Sequence, residues 1–169
     1  MRLPTLMAIT LLAGMQAQAA GPISVAGDGG PFEGKWEHCE TWQGYAVCSD
    51  YTLLQRGRNV CGTWSYFATN AGYQGQLQLT AIRRLTARKD LICGDSGSET
   101  RQPCTSEYVP DGGWEPKQGY LIICKGVLQD ADQSSVKHCH SNLRRHRMDE
   151  ADRLALLARG WMQQCLARP

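Results

Sequence analysis

Eight cysteines are the residues of this 169-residue chain best equipped to do chemistry. No two of them have fewer than eight residues between them, so the chain lacks the close cysteine pairs that hold structural zinc. An even number of cysteines behind an export signal favours disulfides, because exported proteins fold where thiols are oxidised. We therefore predict four disulfides and no free thiol among Cys39, Cys48, Cys61, Cys93, Cys104, Cys124, Cys139 and Cys165.

The first 19 residues have the pattern of a secretory signal peptide. Arg2 supplies the positive charge, residues 3–15 form a short apolar stretch, and Ala17-Gln18-Ala19 is a small-x-small cleavage site. Met15 stands where a lipoprotein signal needs its cysteine, so we expect no lipid anchor. No later apolar run approaches the ~20 residues of a membrane-spanning helix. The pattern predicts a periplasmic or secreted protein.

Three histidines, His138, His140 and His146, lie close together near the C-terminus. Imidazoles at such spacing could bind a metal ion. Cys139, which lies between the first two, cannot be a thiolate ligand once it is in a disulfide. We expect a solvated segment beside that disulfide, and we predict neither a metal nor another cofactor.

Ser96 is a candidate nucleophile. The segment 94–97, G-D-S-G, resembles the sequence around the nucleophile of trypsin-like serine proteases, and His38-Cys39 resembles the histidine-cysteine pair of that family. The resemblance implies a triad of Ser96, His38 and either Asp50 or Asp90. Only 58 residues separate His38 from Ser96, too few for one barrel and the start of a second. We therefore predict that the protein is not an enzyme, and a small hydrolase using Ser96 is the second alternative.

Alternating polar and apolar residues, interrupted by turn signals, run from residue 35 to residue 93. They predict an antiparallel meander of about five short strands, and residues 120–128 predict one more. A two-residue turn at Gln43-Gly44 places Cys39 opposite Cys48 in a non-hydrogen-bonded pair, with Cα atoms about 4.5 Å apart. The hairpin therefore predicts a Cys39–Cys48 disulfide and leaves the pairing of the other six cysteines open.

The C-terminal residues 149–166 predict one amphipathic helix. Asp149 is its expected N-cap, and an apolar stripe recurs at helical spacing. Cys165 lies on that stripe, so we expect a disulfide to join the helix to the sheet. The members of the stripe are Leu154, Leu157, Ala158, Trp161, Met162 and Cys165.

The predicted organisation is a signal peptide over residues 1–19, a flexible Gly/Pro-rich lead-in over 20–33 and a single disulfide-rich domain over 34–169. Gly34-Lys35-Trp36 resembles the G-x-W motif at the start of lipocalin-like barrels, which implies a curved antiparallel sheet. The chain shows too few clear strands for eight. The predicted fold class is mainly β with a C-terminal α-helix, a disulfide-stapled meander or small partial barrel.

Six residues are the candidates for binding a partner. Trp42 and Tyr45 flank a turn, and exposed aromatic side chains are enriched at binding interfaces. Asp95 and Trp114 lie in the segment 94–118, which shows no periodicity and is long for a structureless loop. Arg144 and Arg145 belong to a basic segment, 137–147. A second basic cluster lies at Arg83, Arg84, Arg88 and Lys89, and the sequence leaves open whether the two clusters share a face.

The formal net charge of +2 argues against a nucleic-acid binder. The leading hypothesis is an exported envelope binding protein of inhibitor or immunity type, which blocks a cell-wall-active hydrolase by protein–protein contact. In size, export, disulfides and aromatic-rich sheet the chain is similar in kind to bacterial periplasmic lysozyme inhibitors. The first alternative is a barrel-type carrier of a small apolar ligand, which requires a cavity of roughly 300 Å³ or more.

Overall fold

The computed structural model describes residues 29–169. The signal peptide predicted over residues 1–19, and residues 20–28 of the predicted lead-in, lie outside the described residues. The strands are β1 (Gly34–Trp42), β2 (Tyr45–Arg56), β3 (Asn59–Ala68), β4 (Ala71–Arg83), β5 (Thr86–Gly94), β6 (Glu115–Pro116), β7 (Tyr120–Cys124), β8 (Val127–Ala131) and β9 (Leu143–His146), and the helices are α1 (Glu150–Leu157) and α2 (Gly160–Leu166).

Eight of the strands close into an antiparallel barrel. The order of hydrogen-bonded neighbours is β4-β3-β2-β1-β9-β8-β7-β5, and pairing between β4 and β5 completes the circle. The short strand β6 pairs with β5 outside this circle. The mainly β fold class with C-terminal helical structure is confirmed, and the barrel is closed by full pairing.

The expectation of too few strands for eight was wrong. The strand predicted over residues 120–128 is two strands, β7 and β8, because Lys125 and Gly126 form a turn with φ values of 50° and 83°. The strand β9 was not predicted, because only Leu143 of its four residues is buried and no apolar alternation marks it. These short strands supply the wall that closes the barrel.

Alternation along the strands separates the inside of the barrel from its outside. The inner positions of one half carry the aliphatic core, and Phe32, which precedes β1, is fully buried against it. The Trp36 indole donates a hydrogen bond to the Phe32 carbonyl oxygen at 2.8 Å. The domain core therefore includes a residue that the sequence placed in the lead-in. The main core side chains are Phe32, Trp36, Leu53, Val60, Leu77, Leu79, Leu121 and Leu128.

The prediction of one helix over residues 149–166 was wrong. The helix breaks after Leu157, and Arg159 has extended backbone angles (φ −76°, ψ 125°) before α2 begins at Gly160. Gly160 is a weak helix former, and the break turns α2 onto the outer wall of the barrel. Leu154, predicted on the apolar stripe, is 52% exposed. The predicted N-cap is confirmed, because Asp149 Oδ1 accepts a hydrogen bond from the Asp152 amide at 2.7 Å.

All eight cysteines form disulfides. The predicted pair Cys39–Cys48 is present, on opposed residues of β1 and β2. The disulfide of Cys165 with Cys61 ties α2 to β3, as the sequence predicted for the helix end. Cys61, Cys165, Leu54 and Met162 form a second buried cluster between the helices and the barrel. The remaining pairs are Cys93–Cys104 and Cys124–Cys139.

Candidate ligand site at the barrel mouth

The two ends of the barrel differ in how they are closed. We call the end with the β1–β2 and β3–β4 turns the mouth, and the end with the β2–β3, β4–β5 and β7–β8 turns the base. The aliphatic core and Phe32 fill the half next to the base. Toward the mouth, an open cavity of about 310 Å³ lies among side chains of β2, β3, β4 and the segment after β5. We call this cavity the cup.

The cup has aromatic walls with polar groups between them. Tyr66 and Tyr73 face each other across β3 and β4, and their rings stack with centroids 6.4 Å apart. Such a lining combines flat apolar surface with hydroxyl groups, which suits a ligand that is itself part apolar and part polar. The cup is lined by Tyr51, Trp64, Tyr66, Tyr73, Ser49, Ser65, Ser98 and Glu99.

Trp64 is held in place by two glycines. A Cβ on Gly75 or on Gly94 would lie 2.6 Å from the six-membered ring of its indole, so only glycine at these positions allows the ring to lie where it does. The side chain is 9% exposed, and Nε1 is buried without a hydrogen-bond partner in residues 29–169. A buried donor without an acceptor costs stability, about 1–3 kcal/mol. Trp64 is therefore a wall of the cup with an unused hydrogen-bond donor.

A buried lysine lies beside the cup. Lys89 has a side chain only 4% exposed, and its Nζ donates to Asp130 Oδ2 at 2.5 Å. The same carboxylate oxygen accepts a hydrogen bond from the Tyr51 hydroxyl at 2.8 Å. Burial raises the pKa of Tyr51 well above its ordinary value, and the negative charge of Asp130 and the hydrogen bond to it add to that effect. The Tyr51 phenol therefore stays protonated as a donor at neutral pH.

Glu99 supplies the carboxylate of the cup. Its Oε2 lies 3.1 Å from Lys117 Nζ and 3.9 Å from Lys89 Nζ. Partial burial by itself would raise the pKa of Glu99, but the two ammonium groups outweigh burial and lower it. Glu99 is therefore ionised at neutral pH, and the cup is lined by a carboxylate that pairs with two lysines.

The tip of the β1–β2 hairpin carries Trp42 and Tyr45. They are opposed residues, 61% and 54% exposed, on either side of a turn whose residues Gln43 and Gly44 both have positive φ. A turn of this kind matches the twist of a hairpin and keeps its strands paired to the end. The register places Trp42 and Tyr45 on the same sheet face as Trp64 and Tyr66. The aromatic surface of the cup thus continues toward the tip.

The other candidate partner-binding residues lie elsewhere. Asp95 is exposed, and its Oδ2 accepts a hydrogen bond from the Gln74 amide at 3.0 Å. Trp114 is half-buried and packs on Trp161 of α2, with ring centroids 5.7 Å apart. Asp95 and Trp114 are thus in the same segment but have different neighbours. Their role in binding a partner stays a prediction.

Arg144 and Arg145 are exposed on β9, at the base. The Arg145 guanidinium lies over the Trp36 ring, 5.8 Å from its centroid. The six candidate residues therefore occupy three regions: the hairpin tip, the segment after β5 and the base. Of the second basic cluster, the β4–β5 turn brings Arg83 and Arg84 to the base, whereas Lys89 is buried inside the barrel.

The geometry around Ser96 gives little support to a hydrolase. Asp50 accepts a hydrogen bond from Ser65, and Asp90 is engaged by Thr80, Arg88 and Arg168, so both carboxylates have other partners. His38 lies on the opposite face of the sheet from Asp50, with Nε2 3.6 Å from Glu40 Oε2. Within residues 29–169, no group of three or more His, Cys, Asp or Glu side chains could hold a metal ion.

Comparison with known proteins gave no match. No family model, no curated protein and no solved structure matches the chain. In the described part of the chain, no helix is long and apolar enough to cross a membrane.

None of the six residues predicted to bind a partner lines the cup. Alternation along β3 places Trp64 and Tyr66 on one face of the strand, but nothing in the sequence marks that face as a binding surface. Lys89 was counted in the second basic cluster with Arg83, Arg84 and Arg88, but its side chain is buried inside the barrel. A signal did exist: Lys89 lies two residues after Ala87, an inner position of β5. Asp130, its partner, lies 41 residues further along the chain.

Proposed function

We propose that this chain is an exported, non-catalytic binding protein that holds a small amphipathic ligand in the mouth of its barrel. The observation that carries the proposal is the cup itself, a cavity of about 310 Å³ lined by Trp64, whose buried indole N–H has no hydrogen-bond partner in residues 29–169. Small-molecule sites are concave and largely preformed, with a few polar groups that fix the ligand. A ligand that presents an acceptor to Trp64 would satisfy a donor that is otherwise buried at a cost.

The lining favours a partly polar ligand over the purely apolar one of the barrel-carrier hypothesis. The apolar half of the barrel is filled by its own side chains, and Ser49, Ser98 and Glu99 line the open half. A hydrocarbon in the cup would displace water from the Ser49 hydroxyl and from the Glu99 carboxylate without replacing its hydrogen bonds, which is unfavourable. A ring with a flat apolar face and hydroxyl, carbonyl or amine groups fits both parts of the lining.

A thermal-shift screen of small-molecule fractions from the cell envelope tests this proposal. A ligand at 100 times its Kd stabilises the folded state by about 2.7 kcal/mol. We expect one fraction to raise the Tm of the wild type, and Trp64→Phe and Tyr73→Ala to abolish the shift. Tyr108→Ala, at a tyrosine that is 90% exposed and outside the cup, is the matched control. Equal shifts in wild type and cup variants, or no shift with any fraction, would contradict the proposal.

A second candidate function is the inhibition of a cell-wall-active hydrolase. Its specific support is the β1–β2 hairpin tip, where Trp42 and Tyr45 are exposed and the Cys39–Cys48 disulfide braces the strands. A rigid aromatic projection binds a cleft with little loss of conformational entropy. The test is inhibition of envelope hydrolases by the oxidised protein, with Trp42→Ala and Tyr45→Ala expected to abolish it. Inhibition that survives both substitutions would remove the hairpin from this role.

A further inference from the structure

Basic side chains gather around the base of the barrel. The β2–β3, β4–β5 and β7–β8 turns all lie at this end, and β9 also ends there. Each of these segments brings exposed arginine or lysine to the same rim, so residues far apart in sequence form one surface. We call this surface the basic rim; it comprises Arg56, Arg58, Arg83, Arg84, Lys125, Arg144, Arg145 and Arg147.

The positive charge of the basic rim is not neutralised by ion pairs. Nearby acidic groups are already engaged: Glu33 pairs with Arg153, and Asp90 pairs with Arg88 and Arg168. Within residues 29–169, none of the eight rim residues is in an ion pair. The N-cap and first turn of α1 follow directly in the chain and contribute three acidic residues, against eight basic ones on the rim. The base therefore keeps an excess of positive charge.

Two large aliphatic side chains are exposed at the same rim. Ile82 is 38% exposed and Leu85 is 43% exposed, and they flank Arg83 and Arg84 at the β4–β5 turn. Exposed aliphatic residues beside arginines are typical of surfaces that enter the headgroup region of a bilayer, where apolar groups reach the acyl chains and guanidinium groups bind phosphates. A soluble polyanion offers no apolar phase for Ile82 and Leu85. The combination favours a lipid surface.

We propose that the base of the barrel docks on the surface of an anionic phospholipid bilayer. The basic rim binds the lipid phosphates, and Ile82 and Leu85 enter the interface between them. The docking surface is independent of the cup, because it lies at the opposite end of the barrel. In this orientation the mouth and the Trp42–Tyr45 hairpin tip point away from the bilayer, where they can reach a ligand or partner.

Co-sedimentation of the oxidised protein with phosphatidylcholine vesicles, with and without phosphatidylglycerol, tests the proposal. We expect binding only to the anionic vesicles, and weaker binding as salt is added. Each basic residue near the surface is worth roughly fivefold in affinity, so Arg83→Gln with Arg84→Gln should lower binding by about tenfold to thirtyfold. Ile82→Ser with Leu85→Ser should also weaken it, and these exposed positions should not affect folding.

The matched control is Arg101→Gln, an exposed basic residue in the connection that follows β5 at the mouth. It should bind the anionic vesicles like the wild type, and so should the cup variant Trp64→Phe. Equal loss of binding in Arg101→Gln would refute a docking surface at the base. Two results together would overturn the lipid assignment: unchanged vesicle binding by the variant with Ile82→Ser and Leu85→Ser, and an affinity for soluble polyphosphate equal to that for the vesicles.

Discussion

Lys89 and Asp130 form an ion pair, and replacing one of the two should reduce the stability of the fold more than replacing the other. The side chain of Lys89 is 4% exposed, whereas that of Asp130 is 37% exposed. Removing one partner of a buried pair is costly because it leaves the other charge without compensation. The cost therefore depends on how well water can reach the charge that remains. We predict that replacing Asp130 destabilises the protein more than replacing Lys89.

The structure sets the size of the two effects. Asp130→Asn leaves a buried ammonium group facing a neutral amide, with Glu99 Oε2 3.9 Å away, and should cost about 2–4 kcal/mol. Lys89→Met leaves a partly hydrated carboxylate that still accepts the Tyr51 hydroxyl, and methionine retains most of the apolar stem. This change should cost about 1–2 kcal/mol.

Urea unfolding of the oxidised proteins at neutral pH measures both changes, with Asp132→Asn as the control at an exposed neighbouring carboxylate. The control should stay within about 0.5 kcal/mol of wild type. The double variant should lose less than the sum of the two single losses, because the charge left by either substitution is then absent. A Lys89→Met variant as unstable as Asp130→Asn, or additive losses, would refute the reasoning.

Two further predictions concern the disulfides and the alkaline limit of stability. Loop-closure entropy predicts that the Cys61–Cys165 disulfide, which spans 104 residues, stabilises the fold by about 4.7 kcal/mol. The same estimate for Cys39–Cys48, which spans 9 residues, is about 2.6 kcal/mol. Urea unfolding should therefore show a larger loss of stability when Cys61 and Cys165 are both replaced by alanine than when Cys39 and Cys48 are. The raised pKa of Tyr51 contributes stability that is complete below the pKa of an unfolded tyrosine, about 10, and is lost as pH rises through the folded pKa. Tyr51→Phe should remove from the ultraviolet titration one phenolate transition that occurs at high pH. It should also make the loss of stability above pH ~10 less steep. An unchanged titration would contradict this assignment.

Local features of the fold could be predicted from the sequence, because near neighbours decide them. The Gln43-Gly44 turn sets the register of its hairpin, and that register fixes the Cys39–Cys48 disulfide. The N-cap of Asp149 follows from the residues of a single turn. Barrel closure could not be predicted in this way, because it depends on β9 pairing with β1 across more than 100 residues.

The cup was harder to predict, because its polar residues break the pattern that identifies buried positions. Lys89 occupies an inner position of β5, and a register shift between Gln78 and Leu79 of β4 disturbs the alternation opposite it. A lysine at such a position is read from sequence as exposed. Its burial depends on Asp130, which lies on β8, a strand that follows the 95–119 segment in the sequence. Only the closed barrel brings the two residues together.

The open mouth is a consequence of particular residues, and the barrel geometry does not require it. An eight-stranded barrel is just wide enough for its inward side chains to fill it. The inner positions of β4 carry Leu77 and Leu79 toward the base but Gly75 next to Trp64. The inner row of β2 changes in the same way, from Leu53 to Ser49. The open volume, and the buried Trp64 indole N–H, which has no acceptor among residues 29–169, both cost stability. Natural sequences accept such departures from good packing chiefly at functional sites, which is why the mouth, and not the filled half, is where binding should be sought.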